Sequence, residues 1–371
     1  MFKSVLSVML AVVLALALAA CAGTPAPSST SISPPAAAAP APAASEAVSE
    51  APTEEASTVK ITGSDGIESE VIQSPKRVAI YDYAILDILD AVGFENTGIE
   101  QLVVPSKDSL PDELAYYKNL GDDKVVSGGS LFYVDWDVLD LVEPEVVILG
   151  GRSFGMNAAG ERLDSDANKK FRENTEERYA DASFVRLAMN TSNSQLITDM
   201  ESNVAKLAEI FPDLAPRLEA KMAEVKAAAA DISEKAQASG KRALFCMMVD
   251  QTTLSVFNPE SRFDMLYEDF GFIPVDDSAT DWTDQHGFDV RAEYVLEKNP
   301  DVIFVLDRSA TVGSGAGAEN FRNDPVIAKT AAAANGDIYV LSGNAWYTMT
   351  GGFTSVEVML ADVNQYISTL G

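Results

Sequence analysis

The stretch "NPDVIFVLDR", residues 299–308, decides the fold, because the chain contains a near copy of it, "EPEVVILGGR", at residues 143–152. In both, a proline (Pro144, Pro300) is followed by an acid (Glu145, Asp301) and then an apolar, β-branched run. In both, an arginine (Arg152, Arg308) stands eight positions after the proline. A continuous Val/Ile/Leu/Phe run reads as a parallel strand covered on both faces by helices. The patterns "VDWDVLDLVE" and "DVRAEYVLEKN" precede the two runs and read as helices that must end near the proline. Each half also opens alike, with Lys-Arg and a strand: "KRVAIYD" at 76–82, followed by the helical pattern "YAILDILDAVGF", and "KRALFCMMVD" at 241–250. Ligands of open α/β sheets bind beyond the carboxyl ends of the strands. Arg152 and Arg308 are therefore expected on opposite walls of one cleft between two α/β lobes.

Between the halves lies "DLAPRLEAKMAEVKAAAADISEKAQASG" (213–240), rich in Ala, Glu, Lys and Leu and ending on Gly240. As one continuous helix it would span roughly 40 Å, a stiff connector between lobes. The expected organisation is thus an N-terminal lobe at 58–212, an interlobe helix at 213–240 and a C-terminal lobe at 241–371. Each lobe is expected to be Rossmann-like. The segment "TVKITGSDGIESEVI" (58–72) reads as a hairpin that starts the first lobe.

What precedes residue 58 is of a different kind. "MFKSVLSVMLAVVLALALAAC" carries a basic residue, an apolar stretch and small residues before a cysteine, the pattern of a secretory signal over residues 1–20. Leu18-Ala19-Ala20-Cys21 resembles a bacterial lipobox, which marks Cys21 for lipidation. Residues 21–57 are Pro/Ala/Ser-rich and lack the bulky apolar residues needed to offset the entropy of ordering, so they read as a disordered tether. The expected location is the extracytoplasmic face of a bacterial membrane, with the chain held there by its lipid. Cys246, the other of the two cysteines, sits inside an apolar run and reads as a buried thiol. One histidine argues against a zinc site built from several imidazoles, and a net charge of −29 argues against nucleic acid as a partner. That charge leaves room for a local basic pocket.

Five segments resemble a known family: "PKRVAIYDYAILDILDAVGF", "VEPEVVILGGR", "NPESRFDMLYEDFGF", "QHGFDVRAEYVLEKNPDVIFVLDR" and "NAWYTMTGGFTS". They are similar to the substrate-binding lipoproteins of bacterial ABC importers for ferric siderophores, and among those to the catecholate binders. The resemblance implies two α/β lobes joined by a single long helix, a monomer with no intrinsic cofactor, and an Fe(III)-siderophore as ligand. It implies that Arg152, Arg262 and Arg308 surround catecholate oxygens. It also implies that His286 and Tyr347 are the pair able to ligate iron when the siderophore leaves coordination positions free; the alternative is that both only line the pocket. Trp346 has two readings, stacking on an aromatic siderophore ring or packing in the core. Asp137 and Glu293, each seven residues before its proline, match the carboxylates that in the family meet arginines on the two permease subunits. Two segments depart from the pattern: "TDQHGF" is unusually acidic, and the stretch after Arg152 is long.

No nucleophile–base pair, phosphate loop or paired-carboxylate site is legible, and the chain is expected not to be an enzyme. Other readings are a binding protein for haem, cobalamin or a hydroxamate siderophore, and, in a different class, a lipid-anchored α/β enzyme acting on an anionic substrate.

Overall fold

The computed structural model describes residues 57–189, 195–276, 287–313, 315 and 317–370. The chain begins with the expected antiparallel hairpin, β1 (Thr58–Thr62) and β2 (Glu68–Ile72). There follow β3 (Arg77–Tyr81), α1 (Tyr83–Ala91), β4 (Gln101–Val104), β5 (Val125–Ser127), α2 (Trp136–Val142), β6 (Val146–Leu149), β7 (Ser183–Arg186) and α3 (Leu196–Ile210). Strands β3 to β7 form one fully parallel sheet in the order β5-β4-β3-β6-β7. The order reverses between β3 and β6, which makes their carboxyl ends the switch point where such sheets bind ligands.

The long helix α4 (Ala215–Ser239) comes next, introduced by a 3₁₀ turn at Pro212–Leu214 and stopped at Gly240. Its buried stripe is Leu218, Met222, Val225, Ala229, Ile232 and Ala236, spaced three and four residues apart. Beyond it lie β8 (Arg242–Met248), β9 (Leu254–Phe257), β10 (Ile273–Pro274), β11 (Phe288–Val290), α5 (Ala292–Lys298), β12 (Val302–Asp307), β13 (Ile338–Leu341) and α6 (Phe353–Ile367). The second sheet runs β11-β9-β8-β12-β13, with β10 joining the start of β8. Strands β12 and β13 run parallel to β8, while β9 and β11 are antiparallel additions. Helix α4 is not alone in joining the sheets. It packs against α3 and α6, and α6 also packs against α1. One apolar core therefore continues from the first sheet through this helical layer into the second. Among the described residues no helix is long and apolar enough to cross a membrane.

The repeated motif folds the same way twice. Helices α2 and α5 each end on a residue in left-handed conformation, Glu143 (φ 49°) and Asn299 (φ 45°), directly before the proline. The acid after the proline then reaches back to the first strand of its own sheet. Glu145 accepts from the amides of Lys76 (2.6 Å) and Arg77 (3.0 Å), and Asp301 accepts from the amide of Arg242 (2.9 Å). The arginine side chains close the clamp. Arg77 donates to the Glu143 carbonyl (2.8 Å) and Arg242 to the Asn299 carbonyl (3.3 Å). The Lys-Arg that opens each half is thus the partner of the Pro-acid that comes later. The clamp pins the central strand pair at its amino end and leaves the carboxyl end to carry the arginine.

Removing the clamp acid should destabilise the lobe that carries it. Glu145→Ala and Asp301→Ala are each expected to lower the unfolding free energy by about 1–3 kcal/mol, the scale for a hydrogen bond to a charged group. Urea unfolding measures this, and Glu145→Gln, which keeps an acceptor oxygen, should recover part of the loss. Wild-type stability in both alanine variants would show that the clamp holds nothing.

Candidate ligand-binding site

Three arginines from three separate segments meet at one tyrosine. Arg152 follows β6 after Gly150 and Gly151. A side chain at Gly150 would stand 2.2 Å from the Asp82 carboxylate, so only glycine fits there. Asp82 itself caps α1 through the amides of Ala84 (2.9 Å) and Ile85 (3.2 Å). Burial pushes its carboxyl up to about 6, against the pull of the Ile85 amide and of Arg152. Arg308 stands one residue past β12, where Asp307 caps the short helix Arg308–Thr311. Arg262 lies in the turn after β9.

All three guanidiniums are half-buried and face Tyr347. Arg152 and Arg262 donate to its backbone carbonyl, at 2.5 and 3.0 Å. Arg308 donates to its phenol oxygen at 2.9 Å and to the Val249 carbonyl at 3.0 Å. Their central carbons lie 5.4 Å (Arg152), 4.5 Å (Arg262) and 5.7 Å (Arg308) from the centre of the Tyr347 ring. Arg152 belongs to the first lobe, and Arg262, Arg308 and Tyr347 to the second, so the cluster spans the cleft. Among the described residues none of the three arginines forms an ion pair with an acid. In a chain of net charge −29 this is a local excess of positive charge among the described residues, offset in part by Asp82, which feels the charge of Arg152.

The electrostatics register that excess. Burial, and then the charge of Arg152, push the Arg262 guanidinium down to about 10. Burial alone would raise the Tyr347 phenol. The hydrogen bond from Arg308 and the fields of Arg262, Arg308 and Arg152 outweigh it and hold the phenol below the ordinary tyrosine value. The site favours an anion, and it favours one whose oxygens can meet planar donor forks.

Other expected residues are placed as follows. Trp346 is not on the cleft wall. It is fully buried, its indole N–H donates to Asp362 (2.9 Å), and its ring packs edge-on to Phe270 and beside Phe245. It shares the short helix Gly343–Tyr347 with Tyr347, but its indole is committed to the core. Asp137 and Glu293 are exposed, in the first turns of α2 and α5, one in each lobe. His286 and Cys21 lie outside the described residues. Among the described residues no group of three or more His, Cys, Asp or Glu side chains is placed to hold a bare metal ion. Sequence reasoning missed Asp82 and Tyr83. Tyr83 is buried, its hydroxyl donates to the Ser109 carbonyl (3.2 Å), and burial pushes its phenol up to about 12 while Arg152 pulls the other way. Asp82 before an apolar helix is a readable capping signal; its contact with Gly150 is not.

A cleft between two α/β lobes lined by arginine donors is the arrangement of a protein that binds an anionic solute. Residues 78–345 match the periplasmic binding protein family, and the chain belongs to that family. It is 25% identical over 297 residues to the petrobactin-binding protein of Bacillus subtilis, covering 80% of this chain and 83% of that one. It is 24% identical to the ferric-anguibactin-binding protein of Vibrio anguillarum, covering 80% of this chain and 84% of that one. The structure superimposes on that of the periplasmic catecholate-siderophore binding protein of Vibrio cholerae with a TM-score of 0.68 and 28% identity, over 83% of this chain and all (100%) of that one.

The Tyr347 phenol should ionise at lower pH than a free tyrosine. The difference in tyrosinate absorbance between wild type and Tyr347→Phe during an alkaline titration isolates it. Arg308→Ala should move that transition upward, because it removes the donor that favours the phenolate. A Tyr347 transition unmoved by Arg308→Ala would contradict the arrangement.

Proposed function

We propose that this protein captures a ferric catecholate siderophore outside the cytoplasm and delivers it to an ABC permease in the membrane. The single observation that carries this reading is the set of three guanidiniums around Tyr347, none of them ion-paired to an acid among the described residues. A ferric tris-catecholate bears about three negative charges, and three arginine forks can balance them while donating to paired oxygens. The Tyr347 carbonyl accepts from two of those forks, and in this reading catecholate oxygens take the same acceptor role. The three relatives and neighbours bind petrobactin, ferric anguibactin and a catecholate siderophore, which supports the same ligand class. In this reading the protein performs no chemistry on its ligand. Its iron arrives already chelated, as cargo, and Cys21 carries the lipid that keeps the chain at the membrane. Tyr347, with a phenol biased toward phenolate, and His286 would complete the iron shell of a complex with only two catechols, since phenolate and imidazole both suit iron.

Titration of tryptophan fluorescence with ferric tris-catecholate and bis-catecholate complexes tests this. Arg152→Ala, Arg262→Ala and Arg308→Ala should each weaken both complexes by about 1.5–3 kcal/mol, or roughly ten- to a hundredfold. His286→Ala and Tyr347→Phe should weaken the bis-catecholate far more, because the iron of a tris-catecholate is already six-coordinate. Equal losses for both complexes would reduce His286 and Tyr347 to pocket lining. No binding of either complex by the wild type would reject the ligand class.

Asp137 and Glu293 are the proposed contacts for the permease. They occupy equivalent positions on the repeated helix, and related lobes present related charges to a two-fold partner. The double variant Asp137→Lys with Glu293→Lys should keep siderophore affinity and lose uptake in cells. Normal uptake, or lost affinity, would reject the assignment.

A further inference from the structure

Two helices that point into the lobe junction have no capping side chain of their own. The N-cap of α6 is Gly352, which has no side chain, and that of α3 is Gln195, whose side chain accepts no hydrogen bond from its helix. In each case the missing acceptor comes from the other lobe. Asp87, on α1 of the first lobe, accepts from the Ser355 amide of α6 at 2.9 Å. Asp269, in the second lobe between β9 and β10, accepts from the amides of Leu196 (2.9 Å) and Ile197 (3.2 Å) at the start of α3. We propose that Asp87 and Asp269 are positioning residues, a reciprocal pair of interlobe caps that together set how the cleft walls face each other.

The path from each cap to the cleft is short. Asp87 is 1% exposed on an otherwise apolar helix face, a place where a lone carboxylate is costly unless it is used. A side chain at Gly352 would stand 2.1 Å from its oxygen, so glycine is what lets the turn approach the carboxylate. Ser355, whose amide Asp87 receives, donates its hydroxyl to the carbonyls of Met349 (2.7 Å) and Gly352 (3.0 Å). Met349 is two residues from Tyr347, so the cap anchors the turn that presents the Tyr347 carbonyl to Arg152. Asp269 closes the segment that begins with Ser261 and Arg262, and ties that segment to the first lobe. The two caps therefore bracket the two second-lobe segments that meet Arg152 at the cleft.

The charges around the pair support the same reading. Burial raises both carboxyls to about 6, with the Ser355 amide opposing it at Asp87 and the Ile197 and Leu196 amides at Asp269. The neighbouring charges acting on them are further acids: Asp90 near Asp87, and Asp199 and Glu268 near Asp269. What holds the carboxylates is therefore the helix amides, at Asp87 also the hydroxyls of Thr354 and Ser355, and the positive ends of α6 and α3. Those partners exist only while the lobes are docked.

Amide hydrogen exchange on the full-length chain without ligand tests the pair. The role in ligand capture rests on the siderophore reading, but this readout does not, so failure of one leaves the other standing. Asp87→Ala should speed exchange at Ser355 by roughly fivefold or more, the scale of a lost cap. It should also speed exchange at Leu196 and Ile197, at the cap it does not touch, and Asp269→Ala should do the converse. Asp87→Asn, whose amide oxygen still accepts from Ser355, should restore most of the protection at both caps, whereas Asp269→Asn keeps one acceptor for two amides and should restore only part of it. Acceleration confined to the mutated cap would overturn the proposal, as would equal acceleration throughout the chain in the Asn variants. If protection does cross between the caps, the Ala variants should also weaken ferric catecholate binding, while Asp87→Asn binds as wild type.

Discussion

The clamp between the acid after each proline and the first strand of the same sheet is the constraint on which the rest depends. Glu145 and Asp301 are fixed to the backbone at the start of β3 and β8, and their own amides donate back to the Arg77 carbonyl (2.8 Å) and the Arg242 carbonyl (2.9 Å). This sets the register of β6 on β3 and of β12 on β8, and a parallel pair pinned at one end has little freedom at the other. The arginine eight positions after the proline is thereby delivered to the carboxyl edge. The two deliveries differ in detail. Strand β12 runs through Asp307 and hands Arg308 to a helix start, whereas β6 stops at Leu149 and two glycines carry the chain to Arg152.

The same architecture concentrates charge of opposite sign in separate places. Buried or half-buried carboxylates sit at helix starts: Asp82 on α1, Asp87 against α6, Asp269 against α3 and Asp307 before the helix at Arg308. Each accepts from backbone amides, and among the described residues none forms an ion pair with a cleft arginine, although Asp82 feels the charge of Arg152. The guanidiniums at the cleft are left with carbonyls and a phenol ring, partners that satisfy their donors without cancelling their charge. Burying a guanidinium and crowding it with like charge both cost stability, and burial first and then the Arg152 charge hold Arg262 below the ordinary arginine value. Such a cost is expected where a site is built for a ligand that supplies the missing charge.

Much of this was legible in the chain. The repeat disclosed two related α/β units, because a parallel strand buried on both faces has to be apolar along its whole length, as β6 and β12 are. It placed Arg152 and Arg308 at strand ends, and the helix between the halves was readable from its composition and its terminal glycine. Trp346 was not legible, because neighbours on a short helix point in different directions and only the packing shows which one faces the cleft. The interlobe caps were not legible either. Asp87 sits in a run of apolar residues and looks like a misplaced charge until α6, more than 260 residues later in the chain, is laid against it.

The sequence by itself therefore determined the units: two sheets, the arginine at the end of each clamped strand, and the helix that links them. These follow from local periodicity and from a motif whose partners lie within one lobe. The tertiary structure alone decided that Arg152, Arg262 and Arg308 share one tyrosine, with no acid ion-paired to them among the described residues, and that each lobe caps a helix of the other. Such contacts join residues between 39 and 268 positions apart, and distances between folded units are fixed by the packing of their surfaces, which no local pattern in the chain records.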